Sequence, residues 1–140
     1  MIHQNAVHPK KNIDLSSAAW TMHEFFAGSG LVAYGLKGMF APVWANDISE
    51  QKAAVYEANF GCDRFVLDDI KNIKGSGLPF AHLSWASFPC QDLSLAGSIG
   101  GIQASRSGLV WEWLRVLDEM DHKPKILLLE NVAGLLSTNG

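Results

Sequence analysis

The ten residues from Thr21 to Gly30, TMHEFFAGSG, decide the fold of this chain of 140 residues. Residues 21–26 predict a β-strand, and Ala27-Gly28-Ser29-Gly30 predicts a sharp turn into a helix that closes near Gly38. Glycines between a strand and a helix let the backbone turn tightly and approach a ligand closely. The rest of the chain alternates strand and helix patterns, which is typical of βαβ units on a parallel sheet.

The same patterns predict four further strands and two further helices. We expect the strands at residues 42–46, 64–67, 82–87 and 125–129, and the helices at residues 49–60 and 107–120. The buried face of the last helix is expected to carry Leu109, Val110, Trp113, Leu114 and Leu117. The apolar strands, above all the last, suit parallel strands that are buried on both faces. The predicted fold class is α/β: a Rossmann-like, mostly parallel sheet with flanking helices.

Composition and charge limit the kind of protein. Hydrophobic residues make up 48% and charged residues 18%, as in a globular protein. The net charge of -3 argues against an autonomous nucleic-acid-binding module, which would carry a basic face. Residues 1–20 form a polar leader without a signal-peptide layout, and no apolar run approaches the roughly 18 residues that span a bilayer. We therefore expect a cytoplasmic protein without membrane contact. Because a lone cysteine is usually buried as a small hydrophobic residue, we expect the same of Cys62.

Polar or reactive residues follow the predicted strands one after another. They are, in chain order, Glu24, Gly28, Gly30, Asp47, Asp69, Cys90 and Glu130. Because the carboxyl ends of parallel strands meet at one edge of a sheet, we expect these residues to share one crevice.

The first half of this set suits a nucleoside ligand. Asp47 lies 19 positions after Gly28, close to the offset of about 20 at which an acid binds ribose hydroxyls. Ala33 stands where a dinucleotide fingerprint has its third glycine, so a ligand without phosphates is favoured. Asp69 is a candidate acceptor for an adenine amino group, and Ile48 a candidate surface for its ring. A plain turn, a solvated acid and a core isoleucine remain alternatives.

The second half suits nucleophilic catalysis. Cys90 follows a buried strand in a turn fixed by Pro89, where backbone N–H groups would favour the thiolate. Glu130 ends an apolar strand, where partial burial would make it a useful general acid. A buried structural cysteine and an ion-paired or capping acid remain alternatives.

Taken together, these segments resemble the cytosine-5 DNA methyltransferases. The three cofactor motifs of that family are similar to Phe26-Ala27-Gly28-Ser29-Gly30, Asn46-Asp47-Ile48 and Asp68-Asp69-Ile70. The catalytic loop, the opening of the next helix and the Glu-Asn-Val signature are similar to Phe88-Pro89-Cys90-Gln91-Asp92-Leu93-Ser94, Arg106-Ser107-Gly108-Leu109 and Glu130-Asn131-Val132. The resemblance covers residues 20–140, with Phe88 where the family usually has proline.

The resemblance implies a fold, a reaction and a set of site residues. The fold is that of methyltransferases that use S-adenosylmethionine, which becomes S-adenosylhomocysteine, and no metal is implied. The implied cofactor contacts are Phe26, Ala27, Gly28, Ser29, Gly30, Asp47, Ile48, Asp69, Ile70 and Leu109. The implied catalytic residues are Cys90, which forms a covalent adduct with a cytosine of double-stranded DNA, and Glu130, with Pro89, Gln91 and Asn131.

The family's target-recognition region and last cofactor motif are expected after Gly140. Residues 21–140 therefore resemble the truncated N-terminal part of a catalytic domain, completed by further chain or by a second polypeptide. Alone, it is expected to bind cofactor weakly and to methylate little. The alternatives are a methyltransferase for cytosine in RNA such as tRNA, a subunit of a split enzyme, a non-catalytic cofactor-binding module and an NAD-binding dehydrogenase domain.

Overall fold

Five parallel strands form the centre of the computed structural model, which describes residues 12–89 and 108–131. The strands are β1 (Trp20–Phe25), β2 (Phe40–Asp47), β3 (Phe65–Leu67), β4 (Leu83–Ser87) and β5 (Ile126–Glu130). The helices are α1 (Leu31–Leu36), α2 (Glu50–Phe60) and α3 (Leu109–Asp118), with 3₁₀ turns at Ile70–Asn72 and Gly75–Gly77. The order across the sheet is β3-β2-β1-β4-β5, and each neighbouring pair is parallel. The predicted α/β class is confirmed, and each of these strands and helices lies within two residues of its predicted bounds.

Strand β2 begins at Phe40, two residues earlier than predicted, and a bulge interrupts its pairing with β1. The partner of β1 shifts from Pro42, opposite Met22, to Trp44, opposite His23. Proline lacks an N–H group for the sheet, so it suits an irregular or unpaired position. The pairing of β2 with β3 starts only at Ala45, which leaves Pro42 beyond the paired part of that side.

Helix α2 begins and ends as its flanking residues predict. The Ser49 hydroxyl accepts a hydrogen bond from the Lys52 backbone N–H at 3.4 Å, and Gly61 ends the helix with a φ of 86°. Cys62 follows directly and is exposed, so the prediction that it is buried is wrong. The reason is its place in the turn beyond the helix, outside the packed face.

Two clusters of buried side chains cover opposite faces of the sheet, because neighbouring residues of a strand point to opposite sides. Tyr56 and Phe60 of α2 pack with Ala45 of β2. Ile13 and Leu15, from the predicted leader, pack against this cluster, so part of that segment belongs to the folded unit. The other cluster joins α3 to β1, β2 and β4 through Phe25, Trp44, Ala86, Trp113, Val116 and Leu117.

The buried face of α3 differs from the predicted one at two positions. Leu114 is 38% exposed, whereas Val116 is fully buried. The buried stripe follows Trp113, Val116 and Leu117, which are spaced by three and four residues, so Leu114 lies beside it. The prediction that Leu114 is buried is therefore wrong.

The most apolar strand is also the most exposed. In β5 the exposed fraction runs from 37% at Leu128 to 52% at Leu127, so the prediction of burial on both faces is wrong for the described residues. A parallel strand is buried when other elements cover both its faces. Here β5 pairs with β4 alone and forms the edge of the described sheet.

Candidate cofactor and active site

The parallel sheet brings the carboxyl ends of all five strands to one edge. Register fixes their neighbours: Asp47 pairs with Leu67, Phe25 lies beside Asn46, and Ser87 lies beside Glu130. Along this edge the structure places, from β3 to β5, Asp69, Asp47, the glycine turn, Pro89 and Glu130. Cys90 and Gln91 lie outside the described residues.

The chain changes direction across the sheet between β1 and β4. From β1 it proceeds through β2 and β3 on one side, and β4 and β5 lie on the other side. Ligand crevices of open α/β sheets form at such a switch point, at the carboxyl ends of the strands. The candidate cofactor residues lie at or just after the ends of β1, β2 and β3, whereas Pro89 follows β4 and Glu130 ends β5.

Asp47 holds the glycine turn in place. Its Oδ2 accepts a hydrogen bond from the Gly28 N–H at 2.8 Å, and its Oδ1 accepts one from the Ser49 N–H at 2.9 Å. The residue is 7% exposed. A carboxylate has about four acceptor sites, so acceptor capacity remains for hydroxyl groups of a ligand. This geometry fits a ribose-binding role.

The turn after β1 starts at Phe26, which has an unusual backbone conformation. Its φ is 56°, a left-handed value that few residues other than glycine adopt. The Phe26 ring lies 4.8 Å from the Phe88 ring, which in turn lies 5.9 Å from the Trp113 ring. The residues that follow β1 and β4 are therefore packed together on the side of α3.

The candidate adenine contacts differ in what they offer a ligand. The Ile48 side chain is 68% exposed next to Asp47, which provides an apolar surface for a flat ring. Asp69 is half-buried, and its Oδ1 accepts a hydrogen bond from the Lys71 N–H at 3.0 Å. Ile70 is 3% exposed and its side chain lies in the core, so only its main chain can contact a ligand at the turn.

Asn46 lies beside Asp47 at the candidate site and has a role that the sequence did not predict. It is fully buried, and its Nδ2 donates hydrogen bonds to the carbonyls of Val66 and Asp68, both at 2.8 Å. It thereby joins the end of β2 to the turn after β3. An amide side chain at a strand end beside Asp47 was the only sequence signal of this role. The signal was not sufficient, because the partners of the amide are main-chain atoms distant in sequence.

Glu24 lies beneath the glycine turn and carries an unusual carboxyl group. It is 1% exposed, its Oε1 accepts from the Ala33 N–H at 3.4 Å, and its Oε2 has no partner among the described residues. Burial raises the pKa of Glu24 to about 8, against the opposing effect of hydrogen bonds from the Ala33 and Val32 backbone. The group is therefore mostly protonated at neutral pH.

The β4–β5 part of the edge, which carries the candidate catalytic residues, is largely exposed to solvent in the described part of the chain. Pro89 is exposed two residues after β4, and Asn131 is half-buried directly after β5. Glu130 is exposed at the end of β5, so the expected partial burial is not found. The reason is that β5 is the edge strand of the described sheet. Leu109 begins α3 and packs partly against the core.

Residues 12–89 and 108–131 contain neither a membrane-spanning helix nor a cluster of metal-ligating side chains. No helix of this part is long and apolar enough to cross a membrane. No group of three or more His, Cys, Asp or Glu side chains there could hold a metal ion.

Comparison with known proteins finds a protein family whose model matches this chain. The family model for C-5 cytosine-specific DNA methylases matches residues 20–140. The type II methyltransferase M.Bsp6I of Bacillus sp. (strain RFL6) is 37% identical over 79% of this chain and 35% of its own length. The type II methyltransferase M.PspPI of Psychrobacter sp. (strain TA137) is 35% identical over 89% of this chain and 30% of its own length. The chain thus spans about a third of these relatives.

Solved structures support the fold. The S. pombe Dnmt2 methyltransferase superposes with a TM-score of 0.65 at 24% identity, over 86% of this chain and 36% of that one. The plantazolicin methyltransferase BpumL, solved in complex with SAH, superposes with a TM-score of 0.52 at 16% identity, over 80% of this chain and 39% of that one. The Rossmann-like methyltransferase fold predicted from the sequence is confirmed.

Proposed function

Because the chain belongs to the family of C-5 cytosine-specific DNA methylases, we propose that it is the cofactor-binding and catalytic part of an enzyme that methylates carbon 5 of cytosine in DNA. The observation that carries this proposal is the common carboxyl edge of the sheet. There Asp47 and the glycine turn lie on one side of the β1–β4 switch, and Pro89 and Glu130 on the other. A methyl donor and an acceptor base bound on the two sides would meet at the switch point.

In this proposal the β1–β3 side binds S-adenosylmethionine, which supplies the methyl group. The Asp47 carboxylate accepts hydrogen bonds from the ribose hydroxyls with its free acceptor sites. The exposed Ile48 side chain packs on the adenine ring, and Asp69 accepts from the adenine amino group. The Gly28 backbone allows the close approach of the remaining part of the cofactor.

The β4–β5 side prepares the cytosine for reaction. Carbon 5 of the aromatic ring is a poor nucleophile, so the Cys90 thiolate adds to carbon 6 and makes carbon 5 electron-rich. Glu130 hydrogen-bonds or protonates ring nitrogen 3 and so takes up the charge of the added thiolate. After methylation, carbon 5 loses its proton to solvent, and the electron pair of that bond restores the double bond between carbons 5 and 6. The bond from sulfur to carbon 6 breaks in the same step, which releases the Cys90 thiolate, and ring nitrogen 3 returns any added proton to Glu130. The target base leaves the DNA stack to reach these groups.

Recognition of the DNA sequence belongs, in this proposal, to protein outside these residues. The relatives are about three times as long as the matched region, and the net charge of -3 does not suit a self-sufficient DNA-binding surface. We therefore expect little or no turnover on duplex DNA by the 140-residue chain. Efficient methylation by this chain alone would refute that expectation.

Calorimetry tests the cofactor assignment. The chain is titrated with S-adenosylhomocysteine and with NAD, and we expect binding of the former only. Asp47→Asn removes charge-assisted hydrogen bonds and should weaken binding about tenfold or more. Asp63→Asn, which changes an exposed carboxylate beyond α2, is the matched control and should leave affinity unchanged. Binding of NAD alone would overturn the proposal.

Covalent trapping tests the catalytic assignment. The protein is expressed with the coding sequence that follows these residues and is incubated with cofactor and an oligonucleotide that carries 5-fluorocytosine. Fluorine replaces the proton that must leave carbon 5, so the adduct should persist on denaturing gels. Cys90→Ser should form none. An adduct with an RNA oligonucleotide but not with DNA would favour the RNA-directed alternative.

A further inference from the structure

Arg115 of α3 reaches across to the turn that carries Asp69. Its Nη2 donates hydrogen bonds to the carbonyls of Ile70 at 3.1 Å, Ile73 at 3.2 Å and Lys71 at 3.4 Å. Its Nη1 donates to the Ile73 carbonyl at 3.1 Å. One side chain thus holds three carbonyl groups of residues 70–73.

Two glutamates fix the guanidinium of Arg115 in this position. Its Nε donates to Glu112 at 2.7 Å and its Nη1 donates to Glu119 at 2.7 Å. Glu119 also accepts from the Gly75 N–H at 2.9 Å, which attaches the same helix to the next 3₁₀ turn. Such a planar, forked donor keeps its geometry when it is held on several sides, whereas a lysine would act as a point charge.

The turn is anchored at its other end by Asn46. The Asn46 amide holds the carbonyls of Val66 and Asp68, while Arg115 holds those that follow Asp69. Asp69 therefore lies between two fixed stretches of main chain. Its Oδ1 is used by the Lys71 N–H, so the direction of the turn determines where Oδ2 points.

We propose that Arg115 is a positioning residue for adenine recognition, which holds the main chain of residues 70–73 so that Asp69 meets the 6-amino group of the cofactor. This inference rests on the proposed function, because it takes the Asp69 side of the sheet as the adenine site. It goes beyond that proposal by giving a role to a side chain that is distant in sequence from Asp69. Arg115 contributes through Asp69 and has no part in the chemical step.

A comparison of two ligands tests the inference in the 140-residue chain. The ligands are S-adenosylhomocysteine and its analogue in which purine replaces adenine, so that only the 6-amino group is lost. We expect the unmodified chain to prefer the adenine ligand about tenfold, as one charge-assisted hydrogen bond would give. Arg115→Lys should reduce this preference to about threefold or less, and Asp69→Ala should abolish it. Arg64→Ala removes an arginine that caps the Phe60 carbonyl and should leave the preference intact.

The ligand preference separates positioning from a merely structural role. A general loss of stability would lower the affinity for both ligands by the same factor and leave the preference unchanged. An unchanged preference in Arg115→Lys would therefore overturn the inference. If that variant does not fold, Glu112→Gln loosens Arg115 more gently and should lower the preference in the same direction. If Asp69→Ala loses the preference while both Arg115→Lys and Glu112→Gln keep it, only this inference fails. Because the chain alone is expected to bind the cofactor weakly, binding is measured up to a ligand concentration of about 1 mM. If S-adenosylhomocysteine does not bind even there, the proposed function fails and this inference with it.

Discussion

Replacement of Gly30 by alanine tests whether the glycine turn is held as tightly as the structure indicates. Gly30 has a φ of 84°, in the left-handed region that side chains disfavour. A Cβ atom there would lie 2.6 Å from Cε2 of Phe60 and 2.9 Å from Cδ2 of Tyr56. Both rings belong to the buried cluster under α2, so neither can move aside without disturbing its packing.

The expected loss of stability combines two effects. A left-handed backbone costs an L-residue about 1–2 kcal/mol, and overpacking of a filled core costs about 1–3 kcal/mol. We therefore expect Gly30→Ala to lower the free energy of unfolding by about 2–5 kcal/mol. Gly35→Ala is the matched control, because a Cβ atom at this position in α1 meets no atom of the other described residues within 4 Å outside its own helix backbone. It should raise the free energy of unfolding by about 0.5–1 kcal/mol.

Urea unfolding followed by tryptophan fluorescence measures both variants. With a slope of about 1–3 kcal/mol per molar urea, the midpoint of Gly30→Ala should fall by on the order of 1 M or more. The midpoint of Gly35→Ala should not fall. A Gly30→Ala midpoint equal to that of the unmodified chain would refute the reasoning, since it would mean that the turn and the two rings adjust freely.

Three further predictions concern buried and exposed positions. Because burial raises the pKa of Glu24 from its ordinary 4.5 to about 8, the folded chain binds this proton more tightly than the unfolded chain does. Its contribution to stability is thus full below about pH 4.5 and is lost towards pH 8, by up to about 1.4 kcal/mol per pH unit. Glu24→Gln should remove this dependence of the free energy of unfolding on pH, as measured by urea titrations at several pH values. The same pH dependence in both proteins would contradict the raised pKa of Glu24. Ser84→Ala should lower the free energy of unfolding by about 1–3 kcal/mol, because the buried Trp113 N–H loses its acceptor at 3.0 Å; an unchanged midpoint would mean that this bond contributes nothing. Leu127→Lys in the exposed strand β5 should change the free energy of unfolding by no more than about 0.5 kcal/mol. Leu83→Ala in the buried strand β4 should lower it by about 2–5 kcal/mol. If thermal melts show that Leu127→Lys is the more destabilising change, β5 is covered by other parts of the protein.

Much of the fold could be predicted because its signals are local. Alternation of apolar residues, the Ser49 and Gly61 caps and the glycine turn each act within a few residues of their own position. The strand and helix bounds consequently agree within two residues. The placement of Asp47 beside the glycine turn also followed from the sequence, since a parallel sheet brings strand ends to one edge.

Exposure was the property that the sequence predicted least well. Cys62, Leu114 and the strand that ends in Glu130 were expected to be buried and are exposed. Whether an apolar residue is covered depends on what packs against it from elsewhere in the chain. An edge strand and a central strand of a parallel sheet can have the same apolar composition.

The sequence by itself determined the α/β class, the order of the strands along the chain and the type of residue at each strand end. Those features follow from side-chain periodicity and from the backbone freedom of glycine, which are written in neighbouring residues. Only the tertiary structure decided what holds the turn around Asp69. Asn46 and Arg115 hold it through main-chain carbonyls. Every residue carries such a carbonyl, so its partner across the fold leaves no mark in the sequence.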